Sequence, residues 1–169
     1  VDAICEQVRL DQRLVQDVNA RITVETVQEL WTAAIAATQD PDLALHVAET
    51  INPTAMGTIA YVMMNAPTLH ESLRKLCKYQ DIVCEAIQTS LEVRGQEAFV
   101  KLRIVSPYLT NPRNALDSEL VIYSNAFAAL VGQPVPFKKV LFAYPKPASI
   151  KEHERLFPGA EIIFDAEYS

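Results

Sequence analysis

The sequence predicts an α+β fold, a helical N-terminal half followed by a small, mainly antiparallel sheet with packed helices. Three observations predict it. Apolar residues recur at helical spacing from Thr23 to about Asp81. From Ile87 to Val105 the apolar period drops to two. Beyond that, prolines and glycines cut the chain into one long helix and short strands.

Taken in order, 11–17 is expected to form a short helix. Over Thr23 to Thr38, Val24, Val27, Leu30, Trp31, Ala34 and Ile35 make one apolar stripe, which Asp40-Pro41 ends. Leu43, Ala44, Val47 and Ala48 make a second, shorter stripe before Asn52-Pro53. Thr54 to Asn65 is apolar nearly all round and is expected to be buried on most sides. Thr68 with Glu71 is a capping box opening a helix that turns Leu69, Leu73, Leu76 and Cys77 inward. Ile87, Thr89, Leu91 and Val93 alternate with polar residues, as do Ala98, Val100, Leu102 and Ile104 across the Gly95-Gln96 turn, which is a hairpin. A loop from Ser106 to Asn114 leads to a helix over Leu116 to Val131, stopped at Gly132. Phe137 to Tyr144 reads as a strand. Ser149 with Glu152 reads as a second capping box for a short helix to Phe157, and Ala160 to Phe164 as a final strand.

Composition narrows function. The chain has 169 residues, which fits one domain over 1–169. Its net charge is −6, and no basic stripe runs along a helix, so it is not expected to grip nucleic acid by itself. Three cysteines, Cys5, Cys77 and Cys84, are no disulfide framework and suit a reducing cytoplasm. The longest apolar run, Met56 to Met64, falls short of the ~20 residues of a membrane helix. The first residues carry Asp2 and Glu6 rather than the basic start of a signal peptide. With no initiator Met and an abrupt end, the chain is expected to be a piece of a longer protein.

The run Met56-Gly57-Thr58-Ile59-Ala60-Tyr61-Val62-Met63-Met64-Asn65-Ala66-Pro67-Thr68-Leu69, then Ser72-Leu73, Leu76 and Tyr79, carries a specific pattern. Ala20-Arg21-Ile22 before a long helix, Asp40 to Glu49, Phe142-Ala143-Tyr144-Pro145, His153, Phe157 and Ile163-Phe164-Asp165 agree with it in order and spacing. Together they resemble the arabinose-binding-type N-terminal domain of AraC/XylS transcriptional regulators. One local departure is Leu43-Ala44-Leu45, where that family often carries Gly-Leu. The resemblance implies a ligand-sensing regulatory domain, homodimeric, that binds a small-molecule effector and controls an attached helix-turn-helix domain; DNA would be met only through that domain. The alternative is a protein-interaction or oligomerisation domain of such a regulator without an effector. A third reading, from another class, is a small enzyme or haem-type sensor.

No catalytic or metal spacing stands out. His46, His70 and His153 form no His-x-x-x-His pair; His70 reads as an exposed first-turn residue, His153 as part of a solvated face, and His46 as half-buried. Cys77 and Cys84 read as buried thiols and Cys5 as an exposed one. No cofactor, no metal and no catalytic residue is therefore expected. The candidate ligand-binding residues are Tyr61, Met64, Tyr79, Arg103, Tyr123 and Phe127. A buried tyrosine hydroxyl needs a partner and can meet a ligand, which picks out Tyr61 and Tyr79. Met64 adapts its shape to what it packs on, with plain core as the other reading. Arg103 reaches an anionic effector or, on the polar face of its strand, faces solvent. Tyr123 and Phe127 share one helix face, which serves a pocket, the core or a dimer contact.

Overall fold

The computed structural model describes residues 2–17, 20–52 and 57–169. Two short helices, α1 (Asp2–Gln7) and α2 (Gln12–Gln16), precede α3 (Val24–Thr38). Thr23 caps α3, its hydroxyl accepting the Thr26 amide at 3.2 Å. After Asp40-Pro41 come α4 (Leu43–Thr50), α5 (Thr58–Met64) and α6 (Leu69–Tyr79), with a 3-10 turn at Gln80–Ile82. The Thr68 cap of α6 is in place, its hydroxyl 3.2 Å from the Glu71 amide.

The hairpin follows as read: β1 (Ile87–Arg94) and β2 (Glu97–Ile104) pair antiparallel, with Arg94 opposite Glu97 across a turn whose Gly95 sits at φ 62°. Only its base is buried; Ile87, Thr89 and Leu102 point into the core, while Val93 and Phe99 at the tip are exposed. Helix α7 (Arg113–Val131) begins one turn earlier than Leu116, directly behind Pro112, and ends at Gly132 with φ 79°. The last segment holds β3 (Lys139–Leu141), α8 (Lys151–Leu156) and β4 (Glu161–Ile163). β3 and β4 pair parallel in a sheet separate from the hairpin. A strand–helix–strand order gives that pairing, because parallel strands need a crossover.

Several expectations are corrected. The strands expected over 137–144 and 160–164 shrink to three residues each. Pro136 and Pro145 lack donors, and Asp165 at φ 57° turns the partner strand away. Helix α5 is not buried all round: Ile59, Ala60 and Met63 face α6, while Tyr61 and Met64 face outward. Pro53, Thr54, Ala55 and Met56 lie outside the described residues. Cys5 is buried, because α1 lies against α3, whereas Cys77 and Cys84 are free and only half-buried. At α8, Ile150 takes the cap position, and Ser149 meets only the Lys151 amide, at 3.5 Å. Glu152 bonds Arg155 instead of closing a capping box.

The core lies between α4, α5, α6, α7 and the base of the hairpin, and continues into aromatic residues of the last segment. Helix α7 runs through its middle, packing on α4 along one side. Phe127, Phe137, Phe142, Phe157 and Phe164 form a chain of ring contacts with centroids 5.1–6.5 Å apart.

Candidate ligand-binding site

The site is built on α3. Glu25, Gln28, Glu29 and Thr32 fall on one helical face, which walls a cleft of about 770 Å3. The end of α1, with Gln7, Val8 and Arg9, and the loop after β2, with Pro107, Tyr108, Thr110 and Asn111, complete it. That size lies within the range of small-molecule sites. Gln28 is its central residue. Its amide nitrogen donates to the Tyr108 carbonyl at 2.7 Å, and its amide oxygen accepts the Asn111 N–H at 2.8 Å and the Thr110 hydroxyl at 3.4 Å. One side chain thus fastens the loop to α3.

Adjoining Gln28 and Asn111 lies a second, mainly apolar recess of about 100 Å3. Val24, Val27 and Trp31 line it from the adjoining face of α3, with Leu109, Cys84, Ala86, Ile87, Ala115 and the buried Asn114 opposite. Gln28 and Asn111 line both spaces.

A separate polar cluster lies sealed in the interior. The Tyr144 hydroxyl donates to Asp117, His153 Nε2 lies 2.9 Å from that hydroxyl and 3.2 Å from the carboxylate, and Arg113 reaches Asp42 at 2.5 Å. Burial, followed by the Asp117 carboxylate, pushes the Tyr144 hydroxyl far above its ordinary value. Asp117 is 1% and His153 0% exposed, so no substrate reaches them, and the cluster fastens α4, α7 and α8 together. This corrects the solvated reading of His153, whose ring packs edge-on to Phe142 at 4.9 Å. His46 is half-buried, as read, between Asp40 at 2.6 Å and Glu152 at 3.2 Å. His70 is exposed. Among the described residues, no group of three or more His, Cys, Asp and Glu is placed to hold a metal.

The six residues expected from the sequence do not converge. Tyr61 and Met64 stand 62% and 55% exposed on α5. Tyr79, at the end of α6, is partly covered by the Lys78 ammonium 5.0 Å above its ring. Arg103 is exposed on β2. Only Tyr123 and Phe127 meet, their rings 6.0 Å apart in the core, where the Tyr123 hydroxyl lies 3.0 Å from that of Thr89. None of the six lines the cleft or the recess. The sequence signal for the cleft was a lone glutamine set among Val24, Val27 and Trp31 on an otherwise apolar stripe.

Over residues 1–169 the chain matches the family described as the arabinose-binding domain of AraC transcription regulators, N-terminal. It is also similar to an ornithine utilization regulator of Pseudomonas aeruginosa, 25% identical over 158 residues. That alignment covers 92% of this chain and 46% of the relative, so the chain spans about half the length of the protein it matches. Among the described residues, no helix is long and apolar enough to cross a membrane.

Proposed function

The chain belongs to the arabinose-binding N-terminal domain family of AraC transcription regulators, and on that premise we propose that it senses a small-molecule effector in the cleft between α3 and the 107–111 loop. The family is one of transcription-regulator domains rather than of enzymes. The observation that carries the reading is the cleft itself, of ligand size and bridged by Gln28. An effector that competes for the Gln28 amide shifts the loop. The loop continues β2, whose Leu102 exchanges both backbone hydrogen bonds with Ser169, at 2.6 and 3.2 Å. Occupancy at α3 therefore has a covalent and hydrogen-bonded route to Ser169. The acidic charge of −6 leaves phosphate contact to a helix-turn-helix unit in the longer regulator, which works as a cytoplasmic homodimer.

The similar protein's name makes ornithine the first probe. A ligand at a hundred times its Kd adds about 2.7 kcal/mol of stability. In a domain of this size that raises the thermal midpoint by roughly 5–10 °C. Gln28→Ala is expected to abolish the rise while the variant keeps its helical circular dichroism. Tyr61→Phe and Tyr79→Phe are expected to leave it unchanged. A rise that survives Gln28→Ala and is lost in both tyrosine variants would return the site to α5 and α6. No rise with any small molecule, together with a midpoint that climbs with protein concentration, would favour an oligomerisation domain.

A further inference from the structure

Beside the Gln28 bridge the chemistry of the site changes abruptly. Val24, Val27, Trp31, Leu109 and Ala115 make the recess mainly apolar, and its volume of about 100 Å3 has room for a chain of roughly four to six carbons. Outside the bridge, Arg9 stands on one wall and Glu25 and Glu29 on another. Among the described residues, the side chains of these three form no ion pair or hydrogen bond. A site with an apolar end and a mouth bearing both charges selects an amphipathic zwitterion.

Resting on the cleft as the effector site, we propose that the ligand is an amino acid with an apolar side chain. The side chain enters the recess beside Trp31, the ammonium group lies by Glu25 and Glu29, and the carboxylate lies by Arg9. Gln28, Asn111 and Asn114 are the polar side chains of the recess, and none of its lining residues is charged, so a charged group there is desolvated without a counter-charge. An amino acid with a second charge at its far end, such as ornithine, therefore leaves the recess empty and binds through the mouth alone. Each methylene buried strengthens binding about fourfold.

The test uses the purified chain and a homologous series: alanine, norvaline, norleucine and 2-aminooctanoate, with ornithine alongside. Trp31 is the single tryptophan and lines the recess, so its emission reports occupancy there directly. Affinity is expected to rise about fourfold per carbon as far as norleucine and then level off, with a blue shift of Trp31 emission that ornithine does not cause. Ala115→Leu fills the recess and flattens the series while alanine binding persists. Cys84→Ala enlarges it and carries the rise on to 2-aminooctanoate, which keeps the test open if Ala115→Leu folds poorly. A flat series with silent Trp31, beside saturable ornithine binding, would overturn the recess assignment and leave the cleft reading standing. No saturable response from any member or from ornithine would overturn both.

Discussion

At the scale of single residues, Asp117 holds the interior together. Its carboxylate accepts from the Tyr144 hydroxyl, lies 3.2 Å from His153 Nε2 and 3.5 Å from Arg113 Nε, and is all but sealed from water. Asp117→Ala removes the acceptor and leaves the half-buried Arg113 with Asp42 alone. The expected loss is about 3–5 kcal/mol. Tyr144→Phe deletes one charge-assisted bond and keeps the other partners, for a loss of about 1.5–3 kcal/mol. Urea unfolding followed by circular dichroism separates the two; equal losses would mean that the hydroxyl, rather than the charge, organises the cluster. The sequence held part of this signal. Ile150, His153 and Phe157 recur at helical spacing, so one face of the charged run Lys151 to Arg155 turns inward. What the sequence lacked was the partner: Asp117 is 36 residues away, and local polarity outweighed a stripe of three.

At the scale of elements, Gln80 does for β1 what a neighbouring strand would. Its amide nitrogen donates to the Ile87 carbonyl at 2.9 Å, and its oxygen accepts the Thr89 N–H at 2.7 Å. The side chain is buried at 5% exposure and closes the inner end of an otherwise open strand edge. Gln80→Leu keeps the bulk and orphans both backbone groups, at a cost of about 2–4 kcal/mol. Hydrogen exchange at the Thr89 amide is expected to accelerate with it; an unchanged Thr89 rate would show that some other group protects this edge. The helices and the hairpin were legible because their periodicity is strong and some of their ends carry chemical marks: Thr68 and Gly132 cap where the sequence places them. The last segment was less so. Its strands are three residues long, too short for a period of two to show, and prolines bound them. Site residues were the least legible of all. Exposure along a short apolar helix depends on what covers it, and α5 offers one face to α6 and the other to solvent, so Tyr61 and Met64 read as interior when they are not. The cleft depends on α1, α3 and the 107–111 loop meeting; the lone Gln28 on the apolar stripe of α3 marks one wall but not its partners.

At the scale of the whole molecule, α4 and α8 are tied by a surface network that titrates. His46 lies between Asp40 and Glu152, and Arg155 bonds both Glu152, at 2.6 Å, and Glu49, at 2.8 Å through each terminal nitrogen. Hydrogen bonding to Asp40 raises the His46 pKa above 6.5, against a smaller opposing effect of burial, and Glu152 raises it further. The protonated imidazole is therefore bound more tightly in the folded chain. Its stabilisation is complete below about pH 6.5 and is lost as pH rises through the raised folded value. The His46 side chain is 40% exposed, so solvent screening holds the effect to on the order of 0.5 kcal/mol. The thermal midpoint is expected to fall by about 1–2 °C between pH 6 and pH 8.5 through this group. His46→Gln should remove that slope, and 1 M salt should reduce it in the parent chain, because an exposed network is screened. Parallel midpoint curves for the parent and His46→Gln across this window would place the pH response elsewhere. Helix α8 also carries His153 on its inner face, so the same short helix is fixed to α7 by a buried cluster and to α4 by an exposed network. Deprotonation of His46 loosens the outer fastening, so amide exchange along α8 is expected to be faster at pH 8.5 than at pH 6, and His46→Gln is expected to remove that difference.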